Sequence, residues 1–317
     1  MAIGRRHFVQ QLAAAAGSSG VACAAKTPAI GLGLGNYGLK GLTTAEALEL
    51  IAGIGYDSVE FTLMPGYITE AINVPPAQRR EIRLMVSGLG LAVPSLLEGI
   101  FFAGDGKQHK TNLERIRRDA QFGHDVSPGG PAPVVQTHLG DKDKDWDGLK
   151  NQIVGQLHDW GEVGREMKTV VAIKGHNLNL MDTAERRRWV MQKMTAPWLK
   201  LLCDYSHYEA SGEYLGKTMD LLLPYTAIIS IKDGKPNANG LGFERLLPGD
   251  GKVDYVDYYR RLIKFGYNGQ TVVEISGQIH SRPGYDPVVT AKRCYRNVAP
   301  AMEKAGVHRP ARKSKPA

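Results

Sequence analysis

Ten ionisable residues stand at or just beyond the ends of short apolar runs: Glu60, Glu98, His138, Lys174, His176, Asp204, His207, Lys232, Asp233 and Glu274. Carboxylates, imidazoles and amines are the groups that move protons, polarise carbonyls and ligate metals. Apart from Lys200, the runs TVVAIK, LKLLCD and TVVEIS carry no charge before the residue in question. A charge buried at such a place costs several kcal/mol unless it is paired or liganded. Surface decoration is therefore a poor account of these residues, of Asp204 and Glu274 above all.

Eight β-branched or apolar runs carry them, at 29–35, 58–62, 92–98, 133–138, 169–174, 199–204, 227–233 and 271–276. They recur every ~35 residues, the size of one strand-plus-helix unit. Continuous apolar runs suit parallel strands covered on both faces. The intervening segments read as helices. TTAEALELIAGIG opens with Thr43 three residues before Glu46, a capping-box spacing. PPAQRREIRLMVSGLG has proline at its start and glycine at its end. In VDYVDYYRRLIKFGYNG a stripe of Val256, Tyr259 and Ile263 predicts the buried face, with a stop at Gly266. Eight alternating units predict one closed (β/α)8 barrel over 26–305 rather than an open doubly wound sheet. In such a barrel the polar residues at strand C-termini converge on one site.

Composition narrows the function. The 317-residue chain is 43% hydrophobic and carries a formal charge of +8. Arg5, Arg6, Arg309, Arg312, Lys313 and Lys315 lie in end segments without acids; setting them aside leaves 34 basic residues against 32 acidic ones. A nearly neutral body does not point to nucleic acid. Residues 306–317 read as a basic, solvated tail. Residues 1–25 place Arg5, Arg6 and Phe8 before an Ala-rich stretch and Ala22-Cys23-Ala24, the order of a twin-arginine-type export signal. That predicts a periplasmic protein delivered by export machinery, with no segment able to span a membrane. Cys203 and Cys294 make no disulfide framework, and Cys203 reads as a buried thiol. GLGLGNYG imitates a nucleotide loop, but Asn36 stands where the third glycine belongs, so no nucleotide cofactor is expected. LLPGDGK (246–252) reads as a loop-to-helix turn rather than a phosphate cradle.

CDYSH (203–207), IKDG (231–234), LPGDGKVDY (247–255) and VVEIS (272–276) together resemble the xylose isomerase-like barrel superfamily, in order and spacing over 29–305. That group holds sugar isomerases and epimerases, inosose dehydratase-like enzymes and type IV apurinic endonucleases. The resemblance implies a divalent metal (Mn, Zn, Mg or Co) held by Glu, Asp, His and Glu from strands five to eight. Asp204 and Glu274 match the Asp and the last Glu, and His207 matches a histidine three residues after the Asp. Two positions depart: Lys174 replaces the strand-five Glu, and Ser230 replaces the strand-seven His. A metal could still bind through Asp204, Glu274 and His207, with His138 or His176 as substitutes. Alternatively the Lys174 ammonium could stand in for the metal's charge and polarise a carbonyl. Crowded by Lys232, it could instead serve as base or Schiff-base amine, or it could merely plug the centre as a structural ion pair.

The expected activity is an isomerase or epimerase acting on a sugar, keto-sugar or cyclitol by proton transfer next to a carbonyl. Glu274 is the expected base, Asp204 a ligand or orienter, Lys174 the electrophile, and His207 a hydroxyl contact or proton carrier. Glu60, Glu98, His138, His176, Lys232 and Asp233 are expected to line the substrate. The alternatives are a lyase or hydrolase on oxidised sugars using Lys174, and a catalytically inactive sugar-binding barrel. A nuclease would need zinc ligands where Lys174, Ser230 and Arg245 stand.

Overall fold

A computed structural model describes residues 29–138, 145–177, 179–239 and 242–310. The export signal expected over 1–25 lies outside them. The strands are β1 (Gly31–Gly35), β2 (Ser58–Thr62), β3 (Ser95–Leu97), β4 (Val134–His138), β5 (Val171–Lys174), β6 (Leu199–Asp204), β7 (Thr226–Ile231), β8 (Asp233–Pro236), β9 (Phe243–Leu246) and β10 (Gln270–Val273). Eight of them close in the order β1-β10-β7-β6-β5-β4-β3-β2, all parallel, and β8 and β9 form a separate two-stranded hairpin. The helices are α1 (Thr44–Ile54), α2 (Pro76–Gly88), α3 (Gly106–Val126), α4 (Trp146–Met167), α5 (Ala184–Lys193), α6 (Tyr205–Glu209), α7 (Leu215–Leu222), α8 (Tyr255–Phe265), α9 (Gly277–His280) and α10 (Pro287–Ala305). The fold is a single (β/α)8 barrel. No helix among the described residues is long and apolar enough to cross a membrane.

Local chemistry sets the helix ends. Thr43 and Glu46 close a reciprocal capping box on α1, which satisfies two of the amide donors a helix start leaves free. Pro76 opens α2, where a missing N–H does no harm. Gly266 ends α8 at φ 80°, the left-handed region that glycine enters without penalty. The buried face of α8 is Tyr255, Tyr258, Tyr259 and Leu262, not the Val256, Tyr259 and Ile263 stripe. Val256 and Ile263 are only half-buried. The helix packs through its tyrosines, whose large rings bury more area than the aliphatic residues beside them.

Two boundaries also differ from expectation. The third strand is short because Pro94 has no N–H to give the ladder: Ala92 makes an isolated bridge with Ser58, and the continuous strand starts at Ser95. The seventh ends at Ile231, and Asp233 begins the β8–β9 hairpin, which the sequence did not announce. The basic end does not start at residue 306. Ala29 and His308 form a parallel bridge, and Ile30 N donates to His308 O at 2.9 Å. Arg309 reaches Asp57 at 2.8 Å and Gly55 O at 2.7 Å, so it is an anchor rather than a solvated charge. Residues 311–317 lie outside the described chain.

Candidate active site

Strand alternation builds the site. Ala172, Leu202, Ile228 and Val272, from β5, β6, β7 and β10, form an apolar plug inside the barrel with Val134 of β4 against it. Side chains two residues on point to the same face. Those positions are Lys174, Asp204, Ser230 and Glu274, with Gln136 on β4. One step along four apolar strands thus turns the plug into a ring of polar groups. On β7 a further two residues, or about 7 Å of strand, bring Lys232.

The four charged groups form a closed quartet. Lys174 Nζ donates to Glu274 Oε2 and lies 3.2 Å from Asp204 Oδ2. Lys232 Nζ lies 2.6 Å from Glu274 Oε1 and 3.4 Å from Asp204 Oδ2. Ser230 Oγ donates to Glu274 Oε2 at 3.3 Å, and Ser206 Oγ donates to Asp204 Oδ1 at 2.6 Å. His207 Nε2 lies 3.3 Å from Asp204 Oδ2. Burial would raise both carboxyls, but the two ammonium groups, joined at Asp204 by the His207 ring, outweigh it and hold Asp204 and Glu274 well below the usual carboxylate range. Burial would likewise depress Lys174, yet Glu274 and Asp204 hold it above the ordinary lysine value. Lys232 is lowered, by burial first and by the Lys174 charge against the pull of Glu274. Both carboxylates are therefore ionised at neutral pH.

The other expected residues divide. Glu60 is buried beside the quartet, accepting from Ser95 Oγ at 2.5 Å and from Gln136 Nε2. Burial pushes its carboxyl up to about 7. His138, His176 and His207 form a ladder of rings, with centroids 6.3 and 3.9 Å apart and Phe101 6.1 Å from His138. Burial lowers His138 to about 3 and His176 to about 4, so these rings are neutral and present apolar faces with polar edges. Glu98 is turned away from the quartet: its carboxylate takes Gly99 N and Arg115, each at 2.6 Å. Asp233 accepts from the amides of Gly234, Gly249, Lys252 and Val253 at 2.8 to 3.3 Å. It pins the 246–252 turn, and the amides that could have cradled a phosphate are spent on it.

Several residues that build the site lay outside the catalytic and substrate-lining sets expected from the strand ends. Gln136 and Ser95 hold Glu60; both occupy alternate positions on their strands, the one signal that could have found them. Asn177 and Arg245 do not end apolar runs. Arg245, buried, donates to Ser206 O at 2.9 Å and to Asn177 Oδ1 at 3.0 Å, and Asn177 Oδ1 is 2.7 Å from His207 Nδ1. Across the mouth, Tyr37 stacks on Tyr67 at 5.6 Å and meets His280 edge-on at 4.7 Å. Sugar rings pair well with such aromatic faces.

A divalent ion does not fit this donor set. Asp204 and Glu274 already share the Lys174 ammonium, and a metal held by them and His207 would lie against Lys232 as well. Like charges at contact distance repel by several kcal/mol in a dry interior. Among the described residues no group of three or more His, Cys, Asp or Glu has metal-holding geometry. In this structure the expected ligands are otherwise engaged: Asp204 and Glu274 pair with Lys174 and Lys232, and His207 Nε2 lies 3.3 Å from Asp204 Oδ2.

A family model described as the xylose isomerase-like TIM barrel matches residues 48–297. The inosose dehydratase of Geobacillus kaustophilus is 23% identical over 270 residues, covering 76% of this chain and 82% of its own. Among solved structures, a 3-keto-D-glucoside 4-epimerase from E. coli superposes with a TM-score of 0.67 at 17% identity, over 86% of this chain and 99% of that one. An IOLI protein with a bound zinc atom superposes with a TM-score of 0.71 at 16% identity, over 89% and 100%.

Proposed function

Because the chain belongs to the xylose isomerase-like TIM barrel family, we propose that it is an enzyme that moves a proton next to a carbonyl on a sugar, keto-sugar or cyclitol. The observation that carries this reading is the quartet of Lys174, Asp204, Lys232 and Glu274 at the strand ends. Glu274 is an ionised carboxylate with no proton to displace before it can act as a base. The developing enediolate oxygen needs positive charge, and preorganised ammonium groups in a water-poor site supply it. Asp204 holds both ammonium groups in register, and the histidine ladder offers polar edges to sugar hydroxyls.

The inosose dehydratase match supports a lyase outcome as well as an isomerase one. Both begin with loss of the α-proton and differ in whether a neighbouring hydroxyl then departs. The test is proton NMR in D2O with a panel of keto-sugars and keto-cyclitols. Deuterium should enter at the carbon beside the carbonyl, Glu274→Gln should stop it, and a dehydrated product would mark the lyase. A panel without exchange would overturn the reading in favour of a sugar-binding barrel.

A further inference from the structure

The two amines of the quartet are not equivalent. Lys174 has 0% of its surface exposed and Lys232 has 8%. Lys174 lies one strand repeat above the apolar plug, level with Asp204 and Ser230 in the alternation of their strands, whereas Lys232 lies two repeats above Ile228. The carboxylates are layered in the same way. Asp204 is sealed at 0% and Glu274 keeps 5%. The two oxygens of Glu274 are also divided. Oε2 is taken by Lys174 and Ser230, and among the described residues Oε1 meets Lys232, at 2.6 Å. A molecule entering the mouth therefore meets Lys232 and Glu274 Oε1 as a contiguous pair.

We propose that Lys232 is the general acid of this centre and Lys174 a positioning charge that no substrate touches. This rests on the proton-transfer reading above and deepens it. In the forward step the C–H bond beside the carbonyl breaks and its proton goes to Glu274 Oε1. The electron pair forms the carbon–carbon double bond, the carbonyl π pair moves to oxygen, and that oxygen takes a proton from Lys232 Nζ. The enediol stays uncharged, Lys232 is left as a neutral amine, and Glu274 as a neutral acid. Glu274 then gives its proton to the neighbouring carbon while the hydroxyl on the first carbon returns a proton to Lys232, which moves the carbonyl and restores the enzyme; return to the original carbon regenerates the substrate. Lys174 keeps its proton throughout and holds Glu274 Oε2 and Asp204 Oδ2 in place.

The first arm needs no substrate. Full-length protein is reductively methylated with formaldehyde and borane, and labelled lysines are read by peptide mass spectrometry over time. Lys232 should react at least about tenfold faster than Lys174. Equal labelling, or neither amine labelled while the surface lysines saturate, overturns the proposal. The second arm uses whichever sugar exchanges in D2O. Lys232→Met should lower kcat by about 10² to 10⁴, the usual share of a general acid, with KM within about threefold. Ethylamine should restore part of the rate to Lys232→Ala and none to Lys174→Ala. Rescue of the Lys174 variant instead would move the role to Lys174. If no sugar exchanges with the parent protein, the proton-transfer reading fails, and the labelling order still decides which amine faces the mouth.

Discussion

Replacing Lys174 by Met removes a cation from between two ionised carboxylates and puts a side chain of similar length in its place. Lys232 then remains alone with Asp204 at 3.4 Å and Glu274 at 2.6 Å. Breaking a buried pair by removing one partner costs ~3–5 kcal/mol, because the survivor stays charged and unpaired. The variant can lower this cost by taking up a proton, and the proton should go to Glu274, whose Oε2 loses its ammonium donor. In the parent protein Glu274 is depressed, so its contribution is present above its unfolded pKa and lost as pH falls. In the variant its carboxyl is expected above the unfolded value, so the sign reverses and stability falls as pH rises. Every tenfold change in proton affinity between the folded and unfolded chains is worth ~1.4 kcal/mol. Urea denaturation of parent and variant between pH 4 and 8 reads both effects. The gap should widen with pH to ~3–5 kcal/mol at pH 8, and adding Glu274→Gln should recover part of it. A gap below ~1 kcal/mol at every pH, or additive effects in the double variant, would refute the quartet as an electrostatic unit.

Glu60, raised to about 7 by burial, is neutral at low pH and costs stability as it ionises, so it weakens the protein as pH rises from about 4.5 through 7. Glu60→Gln should flatten that decline by ~3 kcal/mol, read as the change in Tm between pH 5 and 8. The donor set predicts that chelator leaves the Tm of the parent within ~1 °C. Lys174→Glu combined with Ser230→His should bind about one zinc or manganese per chain, measured by elemental analysis after gel filtration. If residues 1–25 are an export signal, the mature N-terminus found by sequencing periplasmic material begins near residue 26, and an intact Met1 there would remove the signal from consideration.

The barrel and most of its centre were readable because one geometric rule links the two. Parallel strands buried on both faces leave long apolar runs, and a charge at the end of such a run has few places to go but the mouth. That rule reached Asp204, Glu274, Lys174 and Lys232, which the structure joins through one set of ion pairs. It overreached at Glu98 and Asp233, whose carboxylates turn to Arg115 and to loop amides. A strand end fixes where a side chain starts but not which neighbour captures it. It missed Asn177 and Arg245 because loops and a hairpin carry them, and their approach depends on how the β8–β9 pair folds back. The layering of Lys232 above Lys174 was implicit in the two-residue alternation of β7, but only accessibility showed that one amine is sealed and the other is not.

The bridge between Ala29 and His308 closes the chain on itself at the foot of the barrel, at the end of β1 away from the mouth. Arg309 on Asp57 makes that meeting point firm. Within the described chain Ala29 and His308 are thus already neighbours, so a short linker could join these two points and new termini could be cut elsewhere. A tether fixed to the described chain at Ala29 or His308 is held on the side opposite the quartet. Immobilised through either of these two residues, the barrel would turn its open face outward to the solution.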